Sequence, residues 1–311
     1  MVFREIASGV YQIPLGIVSC YMVGNRDTWT LVDAGTENKE DIIMAAALEC
    51  FGGDSVPEAI VLTHGHFDHA GSAAALADTW EVPILAHPME LPYVDGRSAY
   101  PPPDPTVGGF MAQVIRLYGN RRVNLADRVE PLDPDEDLPG MEGWEIIETP
   151  GHTPGHCSFY RHDDRVLIAG DAFSTVNQDN PFDMLSQKKR VWRPPPYYTC
   201  DWEEAEISVR RLASLRPNVL AAGHGQPMSG REATDQLRRL SRNFPIPEKG
   251  RYVAEPVKTD ENGIVYLPPA PPDPLKWTAL TVGAAALAGA SLLVARNRRK
   301  ENEFEELNRA A

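Results

Sequence analysis

"LTHGHFDHAG", residues 62–71, sets His64, His66, Asp68 and His69 within six positions, directly after the apolar run "EAIV". Three imidazoles and a carboxylate crowded together are costly to bury unless something pairs with them. In an extended segment, residues two apart point the same way, so His64 and His66 face one point. A turn at Phe67 sends Asp68 and His69 toward a second point, where a following helix fixes their direction. Imidazole and carboxylate donors together suit zinc, iron or manganese.

Three further segments carry donors of the same kind. "TPGHTPGH" places His152 after a strand, "LIAGDAF" places Asp171 at a strand end, and "LAAGHGQP" places His224 at another. Each donor stands beside glycine, which lets the chain turn sharply and leaves room for an ion. His156, at the start of a strand, reads as a residue that packs or that supports a donor from behind. His87 and His162 read as structural or exposed.

The chain has 311 residues, 42% of them hydrophobic, enough for one large domain or two modest ones. A net charge of −14 makes nucleic acid a poor partner, because an acidic surface repels phosphate backbones. Cys20, Cys50, Cys157 and Cys200 are scattered without a CxxC pair, which points to a reducing compartment and to buried apolar thiols. The opening "MVFREIASGVYQIPLG" lacks the pattern of a secretory signal.

Short strands at 10–13, 17–23 and 29–32 lead into a helix in "ENKEDIIMAAALECFG", a strand in "EAIVLT", a helix in "GSAAALADTW" and a strand in "VPILA". This alternation fits a layered α/β domain over 1–244. Within it, residues 94–140 read as a loop-rich insertion of the kind that walls a pocket. "WEIIETP", "HCSFYR", "RVLIAGD" and "NVLAAGHG" read as strands, and "WEEAEISVRRLASL" and "REATDQLRRLSRNF" as helices. Residues 245–274 turn to proline and charge and read as a stiff linker. Residues 275–296 read as an apolar, transmembrane-type helix whose uncharged stretch, 277–295, is long enough to cross a bilayer, with a charged tail at 297–311. The expected placement is therefore cytoplasmic and membrane-anchored.

The motifs "HGHFDH", "GHTPGH", "AGDAF" and "AAGHG", in that order, resemble those of the metallo-β-lactamase fold superfamily, and within it the glyoxalase II-like hydrolases. The resemblance covers roughly residues 4–243. It implies a four-layer αββα sandwich with the site at one edge of the β core. It also implies two divalent cations, zinc first and iron or manganese as alternatives. One would be held by His64, His66 and His152, the other by Asp68, His69 and His224, with Asp171 between them. "LVDAG" matches a further family feature and places Asp33 behind these donors. True β-lactamases of the family carry a different residue where Asp171 stands, so antibiotics are not the expected substrate.

Paired cations lower the pKa of a shared water from about 15.7 toward about 7, giving a bridging hydroxide at neutral pH. The expected activity is hydrolysis of an ester, thioester or lactone in a small-molecule substrate, with Asp68 passing a proton. Two other chemistries use related sites: phosphodiester cleavage, and sulfur dioxygenation on one iron held at positions equivalent to His64, His152 and Asp171. Lys188, Lys189, Arg190, Arg193, Tyr197 and Tyr198 are the candidates for holding the substrate, and the basic ones favour an anionic one.

Overall fold

The structure, a computed structural model, describes residues 2–53, 55–117, 119–134 and 136–273. Its strands are β1 (Arg4–Ala7), β2 (Val10–Pro14), β3 (Ser19–Gly24), β4 (Trp29–Val32), β5 (Ile60–Val61), β6 (Ile84–Ala86), β7 (Val129–Pro131), β8 (Trp144–Glu148), β9 (Cys157–Arg161), β10 (Val166–Ile168), β11 (Val219–Ala221), β12 (Met228–Ser229), β13 (Lys258–Asp260) and β14 (Gly263–Tyr266). Its α-helices are α1 (Glu40–Phe51), α2 (Phe67–Ala70), α3 (Ala73–Trp80), α4 (Leu91–Val94), α5 (Phe110–Val114), α6 (Pro181–Ser186), α7 (Trp202–Ser214) and α8 (Gly230–Arg242). One sheet runs β1 to β7 in sequence order, a second runs β12-β11-β10-β9-β8, and β13 pairs with β14.

The layering follows from the two-residue period of the strands. Along β3, Cys20 and Met22 join a cluster with Ile43 and Ala46 of α1 and Leu76 of α3, while Tyr21 and Val23 point the opposite way. Along β10, Val166 and Ile168 meet Tyr21 and Val23, and Leu167 turns outward to Val209 and Leu212 of α7 and Leu237 of α8. Each sheet is thus apolar on both faces. The two sheets face one another, with helices on the outer side of each: a mixed α/β fold in the order helix, sheet, sheet, helix.

The helices are set by local chemistry. The Asp201 side chain caps α7 by accepting from the Glu203 and Glu204 backbone N–H groups. Gly52 ends α1 with φ +95°, a conformation that L side chains rarely adopt.

Two expectations change. Proline-rich chain after Pro245 does not leave the domain: the first compact unit extends to Pro269. Tyr252 is buried and donates its hydroxyl to the Pro102 carbonyl, the Val257 N–H donates to the Cys200 carbonyl, and β13 and β14 form a hairpin. Likewise β7, inside the expected insertion, completes the edge of the first sheet by pairing in parallel with β6.

The membrane-anchored placement is corrected. Among the described residues no helix is long and apolar enough to cross a membrane. The longest, α7 and α8, have 13 residues each, about 20 Å of rise against the roughly 30 Å of a hydrocarbon core. The expected apolar helix at 275–296, with its stretch 277–295, and the tail at 297–311 lie outside the described residues, so no described element supports anchoring. All four cysteines are free, and all but Cys50 are buried.

Phe159 lies fully buried between the sheets. Phe159→Ala is expected to cost about 3–5 kcal/mol, read as a lower urea midpoint at unchanged slope.

Candidate metal centre

The donors sit where strands stop. β4 ends at Val32, and Asp33 follows with φ +61°, a left-handed turn that aspartate tolerates. β5 leads into His64 and His66, and the short α2 carries Asp68 and His69. His152 lies on the turn between β8 and β9, Asp171 three residues beyond β10, and His224 three residues beyond β11. Gly223 makes the last approach feasible, since a Cβ there would run into the Asp171 carboxylate and the His69 ring.

All seven donors are buried, and they form three groups of mutually close ligand atoms: His64, His66 and His152; His64, His69 and Asp171; Asp68, His69 and His224. Asp171 Oδ2 lies 3.5 Å from His69 Nε2, 3.5 Å from His152 Nε2 and 3.2 Å from His224 Nε2. Asp68 Oδ2 is 3.6 Å from His224 Nε2, and His66 Nδ1 is 3.1 Å from His152 Nε2. Two donors at about 2.0–2.2 Å from one tetrahedral ion stand roughly 3.3–3.6 Å apart, so this spacing suits cations. His64 Nε2, His69 Nε2 and Asp171 Oδ1 are buried with no hydrogen-bond partner, which also fits their use as metal donors.

The far side of each ring decides which nitrogen is free. His224 Nδ1–H donates to the Ile17 carbonyl at 2.7 Å, and His69 Nδ1–H to Asp33 Oδ2 at 2.8 Å. In their neutral form both rings thereby present an Nε2 lone pair inward, although Asp171 and Asp33 outweigh burial and raise the His69 pKa well above its ordinary value. The Thr63 hydroxyl donates to Asp33, so its oxygen accepts from His64 Nδ1–H at 3.0 Å. Asp33 therefore orients two histidines, one directly and one through Thr63, and it also accepts the Thr63 N–H. His156 supports a donor from behind: its Nε2 accepts the Asp171 backbone N–H at 2.8 Å while Nδ1 faces the Thr149 hydroxyl.

Burial and the neighbouring imidazoles hold His64 well below its ordinary range, and burial together with His69 pushes His66 down to about 3. His152 is lowered mainly by burial. These three rings are neutral at pH 7, the form that binds metal. Burial would raise Asp171, but His224 and His69 outweigh it and keep the carboxylate ionised. Burial would likewise lower His224, yet Asp171 and Asp68 lift it to about 8.

Of the residues expected to hold substrate, Tyr198 stands at the cluster, its ring centroid 4.5 Å from that of His66. Tyr197 packs behind it and donates to Gln178 Oε1. Arg193 is taken up by Asp179 at 2.9 Å and by the Pro245 carbonyl. Lys188, Lys189 and Arg190 line a separate cavity that shares no residue with the donor groups.

Two residues not anticipated from sequence complete the centre. Glu90, fully buried, accepts the Gly65 N–H at 3.0 Å on one oxygen and the Gly155 N–H at 2.8 Å on the other. One carboxylate thus ties the His64–His66 loop to the loop carrying His152. Tyr100 donates its hydroxyl to the same carboxylate and lays its ring 4.6 Å from His66. Only the oddity of an acid in the apolar stretch "LAHPMELPY" could have marked Glu90.

A family model described as the metallo-beta-lactamase superfamily matches residues 13–224. The chain is 39% identical over 241 residues to the probable metallo-hydrolase YflN of Bacillus subtilis (strain 168), covering 76% of this chain and 91% of that protein. The probable metallo-hydrolase YybB of the same organism is 29% identical over 233 residues, with 73% and 92% covered. Among solved structures, BLEG-1 B3 metallo-beta-lactamase matches at 25% identity and a TM-score of 0.52, over 76% of this chain and 99% of that chain.

Glu90→Gln turns an amide N–H₂ toward a backbone N–H and releases one of the two loops. It is expected to cost about 1–3 kcal/mol in thermal denaturation and to weaken zinc binding about 10–100-fold in titrations against a chromogenic chelator. Tyr100→Phe, which removes the hydroxyl contact to the Gly65 N–H but leaves both Glu90 contacts in place, should lose less of each.

Proposed function

Because the chain belongs to the metallo-beta-lactamase superfamily, we propose that it is a metal-dependent hydrolase of an ester, thioester or lactone, built on two divalent cations. The observation that carries this reading is the Asp171 carboxylate, set 3.2–3.5 Å from three imidazole nitrogens on three separate segments. A carboxylate shared in this way supports a pair of ions better than one. His64, His66 and His152 would hold the first and Asp68, His69 and His224 the second, with Asp171 facing both. Zinc suits these donors, as do iron and manganese. When bound, such ions supply a water that ionises near neutral pH and a positive field for the developing oxyanion.

The chain's own residues do the rest. Asp33 and the Ile17 carbonyl keep His69 and His224 in the tautomer that offers Nε2. Asp68 is the most exposed of the seven donors at 9%, which places it best to take a proton from the nucleophile and deliver it to the leaving group. The Tyr198 hydroxyl is buried without a partner, and burial pushes its pKa up, so it stays protonated across the working pH range. It can donate a hydrogen bond to a substrate oxygen beside His66. Tyr100 and Tyr198, both within 4.6 Å of the His66 ring, make this wall aromatic and favour an acyl or lactone group over a strongly hydrated one.

A panel of esters, thioesters, lactones, phosphodiesters and β-lactams on metal-replete protein tests the reading. His66→Ala and Asp171→Ala are expected to lower kcat/KM more than about a hundredfold. Tyr198→Phe should lower kcat about tenfold, the worth of one hydrogen bond. A chelator should abolish turnover and restored zinc should recover it. Activity surviving in both donor variants, or one iron per chain with oxygen uptake, would sink the proposal.

A further inference from the structure

The segment between α6 and the β-bridge that joins Ser174 to Trp192 carries three consecutive cations, Lys188, Lys189 and Arg190. It faces α8 across a cavity of about 530 Å³, to which α8 contributes Arg239 and the amide of Gln236. The only carboxylate in the wall is Glu232. Four cations against one anion is a local reversal of sign in a chain of net charge −14. Like charges gathered in this way repel one another unless an anion lies among them.

The charges are not spent on the protein. Among the described residues Lys188, Lys189 and Arg239 make no ion pair, and Arg190 reaches Asp183 only at 3.8 Å. Arg190 instead lies over the Trp192 ring, 5.2 Å from its centroid. The frame beneath them is fixed by hydrogen bonds. The Val191 N–H donates to Gln236 Oε1 at 2.9 Å, which ties the basic segment to α8. The Arg190 N–H donates to the Thr175 carbonyl, and the Thr175 N–H to the His224 carbonyl. The cavity is therefore a held shape, linked to the His224 turn through backbone hydrogen bonds, and it shares none of the seven donors.

We propose that this cavity is a binding site for a small phosphate-bearing anion with at least two negative charges, distinct from the hydrolytic centre. Its volume falls within the range of small-molecule pockets, and two lysines with two arginines match the charge of two phosphate groups. The same wall disfavours a cationic ligand.

Calorimetric titration of the metal-replete chain with inorganic pyrophosphate at physiological ionic strength tests the site. Binding of one pyrophosphate per chain is expected, weakened about tenfold or more in the exposed pair Lys189→Glu with Arg239→Glu, and less in Lys189→Gln with Arg239→Gln. His66→Ala should bind as the parent does, which separates this cavity from pyrophosphate resting on metal. Equal affinity in the charge-reversed pair, loss of binding in His66→Ala, displacement by an equal concentration of sulfate, or no binding to the parent would each overturn the assignment. Melting temperatures of the variants, expected to be unchanged for such exposed positions, exclude misfolding as the cause of a loss.

Discussion

The centre depends on one buried anion held among imidazoles. Asp171 is almost without solvent, and an isolated carboxylate there would be neutralised or expelled. It stays ionised because His69 and His224 lie against it, while His156 accepts the Asp171 backbone N–H and holds that turn in place. Burial holds His64, His66 and His152 neutral, whereas Asp171 and the neighbouring carboxylates outweigh burial and raise His69 and His224 above the ordinary histidine range. Once those two rings give up their protons, the arrangement is a concentration of lone pairs facing inward. Such an arrangement is costly for a protein alone and favourable around divalent cations.

Precision in the donors comes from the scaffold behind them. Both sheets end at the same edge, and short polar links join their ends. The Cys157 N–H reaches the Thr63 carbonyl, the Ser19 N–H reaches the Gly223 carbonyl, and the Tyr21 hydroxyl reaches the Ala222 carbonyl. Asp33 and Glu90 then act as two carboxylate anchors of different kinds. One fixes ring orientation through Thr63 and His69, and the other fixes the spacing of two loops through Gly65 and Gly155. A ligand displaced by an ångström would cost affinity sharply, so these buried anchors matter as much as the donors they serve.

What could be read from sequence was what is local. His64, His66, Asp68 and His69 announce themselves by spacing, and Asp171 and His224 by glycine at a strand end. Most strands and helices were legible from periodicity, because burial on alternate residues or one helical face leaves a pattern in a short window. Glu90 left no such mark, since its partners lie 25 and 65 residues away and are backbone groups of glycine. The hairpin of β13 and β14 was hidden by the prolines around it, and contacts with distant chain, among them those of Arg251, Tyr252 and Val257, explain why that stretch stays docked. The basic run at 188–190 was expected beside the donors. Charge can be counted from sequence, but the direction a turn faces cannot.

The order of the donors along the chain has a consequence for biosynthesis. Asp33 and the cluster at 64–69 emerge from the ribosome first, His152 and Asp171 much later, and His224 last, three residues after β11 closes the inner part of the second sheet. A growing polypeptide offers at most scattered donors on an incomplete frame, which hold an ion weakly. Tight capture therefore coincides with completion of the fold, and a truncated product made by premature termination before His224 would be a poor competitor for scarce cellular metal.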